Sequence, residues 1–290
     1  MRQFIRAACC TCLPLALITP AAGADFTARD LAAEESRFAA YSVKHGMRAA
    51  FLEFFAEPSW LLRPDPVDAK AWLRARPDPP IVLDWKSSFA VCAASVDLCF
   101  STGPWLSRSS ISPAEPAAHG QFFSVWQKQA NGEWKVFIDH GISHGPAATP
   151  ESLPTPSLIA IDLAPQAPVA GTAALDAERR FIARGSAAYA DVVTPRTRLL
   201  REGLVPIDGI AAIGDHLKSQ EGQWTWTVRL QGASRANDFT YAVGSYTWQP
   251  REGAARKGQY LRVWVRETLA AMPRWTLAAE VITPEPPTKT

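Results

Sequence analysis

Two stretches of this chain repeat one another, and this repeat constrains the fold more than any other sequence feature. They are "GQFFSVWQKQANGEWKVFID" at 120–139 and "GQYLRVWVRETLAAMPRWTLAAE" at 258–280. Each begins with Gly-Gln and an aromatic residue and has a Trp six residues after the Gly. Each then crosses a polar turn and returns through a second Trp to an acidic residue. The pattern predicts the same β-hairpin in two places.

The repeat extends well beyond this hairpin. A shift of 141 positions aligns 84–105 with 225–246 without a gap, and a shift of 138 aligns the two Gly-Gln pairs. Near the start of each half, "ESRF" at 35–38 matches "ERRF" at 178–181. Because the matches follow one order at nearly one shift, the sequence predicts a tandem duplication.

The first residues predict a secretory signal peptide. Arg2 and Arg6 precede an apolar run that ends near Ile18, and Ala22-Gly23-Ala24 fits a cleavage site before Asp25. A lipoprotein anchor is the alternative, but it needs a Cys after the apolar run, and the three N-terminal Cys lie before or inside it. We therefore expect a secreted, periplasmic protein.

The predicted domain boundaries follow from the signal peptide, the repeat and a Pro-rich segment. Six Pro lie between Pro146 and Pro168, which predicts an extended, semi-rigid linker. The short "LIAIDL" inside it is expected to attach to a sheet edge. The domains are then the signal peptide 1–24, a first domain 25–145, the linker 146–171, a second domain 172–284 and a tail 285–290.

Charge excludes some partners. Cleavage of the signal peptide removes two of 30 basic residues and none of 28 acidic ones, so the mature chain has no net charge. The basic residues are also scattered, so we expect no nucleic-acid partner. No later segment is long and apolar enough to span a membrane.

Two cysteines remain after cleavage, Cys92 and Cys99. They flank "AASVDL", which reads as the turn of a tight hairpin and would set the two residues opposite each other. In an oxidising compartment this favours a disulfide. Two free buried thiols are the alternative.

The order of elements in each half predicts an α+β fold. In the first half, Leu31, Phe38, Tyr41, Leu52 and Phe55 share a face of one long helix. A short strand, a small helix near 66–77 and then strands near 82–86, 88–95, 97–106, 120–129 and 133–139 follow. Helices followed by an antiparallel meander form an α+β fold.

The motifs resemble the nuclear transport factor 2-like superfamily, which includes SnoaL-like polyketide cyclases and ketosteroid isomerases, and above all its uncharacterised exported members. The motifs that carry the resemblance are "RAAFLEFF", "LLRPDPVDAKAW", "LDW", "SVDLCFSTGPW" and the first repeated hairpin. They cover 28–145, and the internal alignment extends the resemblance more weakly to 172–284. The resemblance implies two cone-shaped domains, each with a long N-terminal helix wrapped by a strongly bent antiparallel sheet around a pocket.

The residues that the two halves share are candidate pocket residues, and the resemblance to ketosteroid isomerases adds Tyr41, which lies on the helix that carries their oxyanion-binding Tyr. In the first half they are Tyr41, Arg63, Trp85, Trp105, Trp126 and Asp139. Their counterparts in the second half are Arg201, Trp226, Tyr246, Trp264 and Glu280. An Arg and a carboxylate among aromatic residues would anchor a small apolar or aromatic ligand. The alternative is that the aromatic residues are core and the Arg and the acid form an ion pair at the rim.

The sequence leaves two functions open. Related isomerases carry an Asp base where this chain has Arg63 and Arg201, and Arg does not act as a base at neutral pH. We therefore expect a non-catalytic binding or accessory protein, with an isomerase, cyclase or dehydratase on a small apolar substrate as the alternative. His140, His144 and Asp139 are too few for a metal site, and no cofactor motif is present.

The doubled hairpin also predicts how the halves associate. One face of each antiparallel sheet needs cover, and relatives often provide it by dimerising. We expect the halves to pack sheet to sheet as an intramolecular pseudo-dimer, with strands 120–129 and 258–266 near the centre, in a monomeric chain.

Overall fold

The fold is taken from a computed structural model that describes residues 26–63, 65–112, 114–145, 156–166, 174–269 and 272–286. The predicted signal peptide lies outside these residues, as do parts of the predicted linker and tail.

The first half consists of three helices on one side of a sheet. The helices are α1 (Ala28–His45), α2 (Met47–Phe54) and α3 (Ala69–Arg74). The strands are β1 (Phe55–Leu62), β2 (Pro66–Asp68), β3 (Ile81–Trp85), β4 (Phe89–Cys92), β5 (Leu98–Ser109), β6 (Ala118–Lys128), β7 (Trp134–His144) and β8 (Ile159–Asp162). The sheet has eight strands in the order β2-β1-β7-β6-β5-β4-β8, and β3 also pairs with β5.

The second half repeats this plan with fewer strands. Its helices are α4 (Leu175–Arg184), α5 (Tyr189–Val192) and α6 (Ile210–Ser219). Its strands are β9 (Arg198–Arg201), β10 (Ile207–Asp208), β11 (Gly222–Ala233), β12 (Phe239–Pro250), β13 (Arg256–Leu269) and β14 (Met272–Pro284). They form a six-stranded sheet in the order β10-β9-β14-β13-β12-β11. The predicted α+β class is therefore confirmed.

Both sheets are mixed, so the prediction of purely antiparallel sheets is wrong. Strand β1 pairs parallel with β7, and β9 pairs parallel with β14. These strands are far apart in sequence, so no tight hairpin forces them to run antiparallel. The linker strand β8 also pairs parallel with β4, which is the attachment expected of "LIAIDL". The cone shape stays a prediction.

The predicted long helices are shorter than expected. In the first half the helix is interrupted at Gly46, which has φ +91° and separates α1 from α2. A side chain there would be strained, and its Cβ would lie 2.8 Å from Asp78 Oδ2. In the second half α4 has 10 residues and ends at Gly185, with φ +63°. A long N-terminal helix is therefore wrong for the second half.

The two halves share their strand registers as well as their order of elements. Trp85 lies opposite Trp105, and Trp226 lies opposite Tyr246. Further along, Ser124 lies opposite Asp139, and Arg262 lies opposite Glu280. These cross-strand pairs fall where the internal alignment of the sequence puts them.

The inner faces of the two sheets pack on each other in one apolar cluster. Phe100, Phe123 and Val125 of the first sheet share this cluster with Leu261 and Val263 of the second. The other face of each sheet packs on the helices of its own half. The helix side and the contact side of each strand thus alternate with the period of two that a strand imposes.

Two hairpin tips hold the halves together reciprocally. The amide of Ala94 donates to Asp238 Oδ2 at 2.9 Å, and the amide of Arg235 donates to Asp97 Oδ2 at 3.1 Å. Ala94 and Arg235 are counterparts in the internal alignment, and so are Asp97 and Asp238. Each half therefore makes the same hydrogen bond to the other. At another part of the interface, the amide of Gly203 donates to the carbonyl oxygen of Ser143 at 2.8 Å.

Among the helices described, none has the length and apolar character needed to cross a membrane.

Candidate functional site

A cavity of ≈ 420 Å³ lies in the first half, between the helices and the sheet. Its wall is mainly apolar and aromatic, and a few polar groups interrupt it. The apolar side chains include Phe38, Met47, Phe51, Leu61, Trp72, Leu83, Trp85, Trp105 and Phe122. The polar side chains include Arg63, Ser107, Ser124, Asp139 and Ser143. A concave apolar space with a few polar groups is the usual form of a small-molecule site.

The repeated Gly-Gln explains how one aromatic wall is formed. A Cβ at Gly120 would lie 2.3 Å from the ring of Trp105 and 1.9 Å from the carbonyl oxygen of Ile142. Gly258 stands in the same relation to Tyr246, with 2.7 Å to the ring. Only a glycine lets the aromatic ring of the neighbouring strand lie this close to the backbone. In the first half this positions the Trp105 ring against the cavity.

Asp139 and Ser124 form the polar pair of the cavity. They face each other across β6 and β7, and Ser124 Oγ donates to Asp139 Oδ2 at 2.8 Å. Burial raises the pKa of Asp139 to about 7, with the charge of Glu35 adding to the effect. The bond from Ser124 and the charge of Arg63 oppose the rise. This carboxyl therefore exists in both protonation states near neutral pH.

Arg63 follows β1 and borders the cavity at its rim. Its Nη1 donates to the carbonyl oxygen of Leu62 at 2.8 Å, and its guanidinium lies 5.5 Å from the centre of the Trp72 ring. The residue keeps exposed surface, yet burial of the guanidinium lowers its pKa. Within the described part of the chain, no carboxylate lies within ion-pair distance of it. Arg63 and Asp139 thus face one cavity without forming a salt bridge.

Glu35 holds the wall of the cavity in place from behind. Its carboxylate, on α1, is buried and accepts hydrogen bonds from Trp85 Nε1 at 2.8 Å, Trp126 Nε1 at 2.7 Å and Ser101 Oγ at 2.5 Å. Burial raises its pKa, and these three bonds oppose the rise. Because Trp85 lines the cavity, Glu35 fixes the orientation of that wall without lining the cavity itself.

In the second half a buried ion network fills the equivalent region. Arg262, at the position of Ser124, is fully buried and donates to Glu178 Oε1 at 2.7 Å and also to Glu280. Arg201 forms a further ion pair with Glu280, and Tyr189 donates to both oxygens of that carboxylate. Although burial opposes it, Arg201 and Arg262 hold the pKa of Glu280 at about 2. Two cations and two anions compensate each other here.

Aromatic side chains complete this filling. The guanidinium carbon of Arg262 lies 3.9 Å from the centre of the Trp226 ring and 4.5 Å from that of Tyr260. Trp226 and Tyr260 correspond to Trp85 and Phe122, which line the cavity of the first half. The same wall positions therefore border open space in one half and a buried arginine in the other.

The structure brings four of the six predicted first-half residues to the cavity: Arg63, Trp85, Trp105 and Asp139. Trp126 is fully buried in the core, bound to Glu35. Tyr41 packs against His45 and Phe54 and is not part of the cavity wall.

The predicted second-half residues belong to the buried ion network and to the aromatic side chains around it. Arg201 and Glu280 form a buried ion pair and Trp264 is core. Trp226 and Tyr246 belong to an aromatic cluster. The alternative of core aromatic residues and an ion pair therefore describes the second half, except that the pair is buried rather than at the rim.

Cys92 and Cys99 form a disulfide, as predicted.

The two histidines that were considered as metal ligands, His140 and His144, have separate surroundings. His140 Nε2 lies 2.9 Å from Thr283 Oγ1, and His144 Nε2 lies 3.2 Å from Gln121 Nε2. Among the residues described, no cluster of His, Cys, Asp and Glu is suited to a metal ion.

Sequence reasoning missed Glu35, Ser124 and Arg262. A signal for the first was present, since "ESRF" and "ERRF" repeat a Glu that each half uses to bind a buried Trp. The Ser124 and Arg262 pair was visible in the alignment of "GQFFS" with "GQYLR". From sequence alone, a Ser in one half and an Arg in the other did not indicate that one site is open and the other filled. Only the structure revealed this difference.

No protein-family model matches the chain, and no curated protein matches it. Solved structures that it resembles each cover about two fifths of it. A ketosteroid isomerase-like protein from Erwinia carotovora atroseptica is 15% identical, with 40% of this chain and 90% of that chain covered and a TM-score of 0.30. A nuclear transport factor 2-like superfamily protein from Salmonella enterica is 10% identical, with 43% of this chain and 96% of that chain covered and a TM-score of 0.31. A candidate SnoaL-like polyketide cyclase from Jannaschia is 13% identical, with 41% of this chain and 91% of that chain covered and a TM-score of 0.31.

The superfamily names of these structures are those that the sequence resemblance gave: nuclear transport factor 2-like, SnoaL-like and ketosteroid isomerase-like. The function has to be argued from the residues of the cavity, because one fold can host many functions.

Proposed function

We propose that this protein is an exported binding protein whose first half holds a small, mainly apolar molecule in the cavity bordered by Trp85 and Trp105. One observation carries the proposal. The same position of the same strand is Ser124 beside an open cavity in the first half and a fully buried Arg262 in the second. The second half demonstrates that this fold can close the space, so the open cavity is not a requirement of packing.

The wall supports a ligand with an apolar body and one polar end. Trp85, Trp105 and Phe122 offer flat apolar surface, and aromatic side chains are well suited to hold rings. Asp139 and Ser124 offer a hydrogen-bonding pair that would fix the orientation of the polar end.

Closing the cavity tests the proposal. Ser124→Arg gives the first half the side chain that the second half already carries, and it is expected to pair with Asp139 and Glu35. Native mass spectrometry of wild-type protein purified from the periplasm should find a retained small molecule, and Ser124→Arg should lose it. Ala130→Arg, in the exposed turn after β6, is the matched control and should keep it. A retained molecule that survives Ser124→Arg would contradict the proposal.

A second function, proton transfer, is favoured by the state of Asp139. Its pKa of about 7 in an apolar cavity, without an ion pair to Arg63, suits a general acid or base at neutral pH. The reaction class would be that of an isomerase, cyclase or dehydratase. Tyr41 is not part of the cavity wall, so Ser124 and Arg63, which border the cavity, would supply the hydrogen bonds that stabilise negative charge on the substrate.

Asp139→Asn separates the two functions. The amide still accepts a bond from Ser124 but does not take up a proton near pH 7. A binding protein should keep its ligand in this variant. An enzyme should keep binding and lose turnover of the bound molecule, measured on the compound that mass spectrometry identifies.

A further inference from the structure

In the second half, the contacts of Arg201 show which chemical group an arginine at this position can bind. Its Nη1 donates to the carbonyl oxygen of Leu200 at 3.0 Å, which fixes the guanidinium on its own backbone. Its Nη2 then donates to the carboxylate of Glu280. A planar guanidinium held in this way presents its remaining donors in a fixed direction.

Arg63 has the same anchor and lacks the acid. Its Nη1 donates to the carbonyl oxygen of Leu62 at 2.8 Å, the equivalent of the Leu200 bond. The counterpart of Glu280 is Asp139, which is one methylene shorter and accepts a hydrogen bond from Ser124 at 2.8 Å. Across the described residues no other acid takes the place of Glu280 beside Arg63. Arg63 therefore borders the cavity with donors that, at the same position of the second half, a carboxylate accepts from.

We propose that Arg63 binds the carboxylate of a ring-bearing, otherwise apolar carboxylic acid. This inference rests on the proposed function and names the chemical class of its ligand. The ligand carboxylate takes the position that the Glu280 carboxylate holds in the second half, and the ring lies between the aromatic walls.

The rest of the cavity agrees with an acid whose body is flat. Trp72 lies beneath Arg63, and Trp85 and Trp105 border the same space. An uncharged hydroxyl or keto group on the ring would reach the Asp139 and Ser124 pair. A carboxylate is favoured over a compact inorganic anion because the wall is apolar apart from these groups.

Matched acid and amide probes test the inference. Isothermal titration with 2-naphthoate and 2-naphthamide keeps the ring and removes the charge. We expect the wild-type chain to bind naphthoate ~10- to 100-fold more tightly than naphthamide, the usual gain from a charged hydrogen bond. Arg63→Gln should remove this preference, so that naphthoate and naphthamide bind with similar affinity. Arg76→Gln is the control, because Arg76 also stacks on Trp72, at 4.0 Å, but does not border the cavity.

The outcomes separate this inference from the proposed function. Equal affinity for the two probes, or a preference that survives Arg63→Gln, overturns the carboxylate inference while binding itself stands. Failure of both probes to bind, with Ser124→Arg unchanged in its retained molecules, overturns the proposed function as well. If Arg63→Gln does not fold, Arg63→Lys serves instead, since it keeps the charge and loses the fork, and naphthoate should then bind with reduced affinity.

Discussion

Arg262 and Ser124 occupy one position of the repeated strand, and the choice between them separates a buried ion network from a cavity. Arg262 has no exposed surface and compensates Glu178 and Glu280, both also buried. A buried ion network adds little net stability over a well-packed apolar core, but loss of one partner leaves the others uncompensated. The arginine is therefore required by its neighbours.

We expect Arg262→Met to lower the free energy of unfolding by about 3–5 kcal/mol, because it leaves Glu178 without its cation. Urea denaturation of the full chain measures this. Lys218→Ala is the control, since the Lys218 and Asp215 pair is exposed and should contribute about 0–1 kcal/mol. Adding Glu178→Gln to Arg262→Met should recover part of the loss. A cost of under 1 kcal/mol for Arg262→Met would contradict the role given to the network.

Asp139 makes stability depend on pH in an unusual direction. Burial raises its pKa from an ordinary 3.8 to about 7, so between these values the folded chain binds a proton that the unfolded chain has released. Stability from this group is therefore full below pH 4 and falls as the pH rises to about 7.

In Asp139→Asn this dependence should disappear. The variant should gain stability relative to the wild type as the pH rises from 4 to 7, at up to about 1.4 kcal/mol for each pH unit. Urea denaturation at several pH values measures the difference between the two proteins. Glu280, whose pKa the fold lowers from an ordinary 4.5 to about 2, adds a slope of opposite sign near pH 4 to 5, but both proteins share this slope and it cancels in their difference. A constant difference across the range would show that the carboxyl of Asp139 is ionised throughout.

Among the elements, the hairpin of β4 and β5 combines the disulfide with the contact between the halves. Cys92 and Cys99 lie opposite each other at the end of this hairpin, and its tip carries Ala94 and Asp97, which bond the second half. The disulfide thus limits the motion of the segment that holds the halves together.

If the protein is exported as proposed, we expect it to contain this disulfide in full. Mass spectrometry after alkylation without reduction should then find no free thiol at Cys92 or Cys99. Replacing both cysteines by Ala should lower the free energy of unfolding by about 2–3 kcal/mol, the value that chain entropy gives for a short loop. Two alkylated thiols in the exported form would be inconsistent with the structure.

The sequence predicted the elements better than their ends and partners. Strands of the first half were predicted within a few residues, because alternation and turns such as Asn131-Gly132 are local signals. The break at Gly46 was missed, since a lone Gly in a helical pattern gives no sign of its φ until Asp78 is seen against it. The parallel pairing of β1 with β7 was missed because it depends on contacts between residues distant in the chain.

The site was predictable to a similar extent. The repeat pointed to Arg63 and Asp139 as a pair, and both border the cavity. Sequence did not reveal that Arg63 and Asp139 stay apart while Arg201 and Glu280 form an ion pair, because this depends on the side chains packed around each pair. Tyr41 was misplaced because the resemblance indicated only its helix, and the side chain packs against His45 and Phe54 instead of the cavity.

At the scale of the whole molecule, each half covers the inner sheet face of the other. Phe89, Val91, Phe100, Phe123 and Ile138 of the first sheet lie in the shared apolar cluster and would meet water if the second half were absent. An exposed apolar face of this kind is a site of association.

We expect the mature chain to be monomeric and the isolated first half, 26–145, to self-associate or to lose solubility. Size-exclusion chromatography with light scattering distinguishes these states. Val125→Lys, at the centre of the contact face, should restore solubility to the isolated half and destabilise the full chain. A soluble, monomeric first half without that substitution would argue against the mutual cover of the sheets.

The burial of Arg262 determines how many ligand molecules one chain can bind. A symmetric dimer of two chains like the first half would offer two equal cavities across a shared interface, and such sites can alter each other's affinity. Here the partner sheet belongs to the same chain and its own cavity is filled. The ligand proposed here therefore binds with a stoichiometry of one per chain, and its saturation curve is a simple hyperbola without cooperativity.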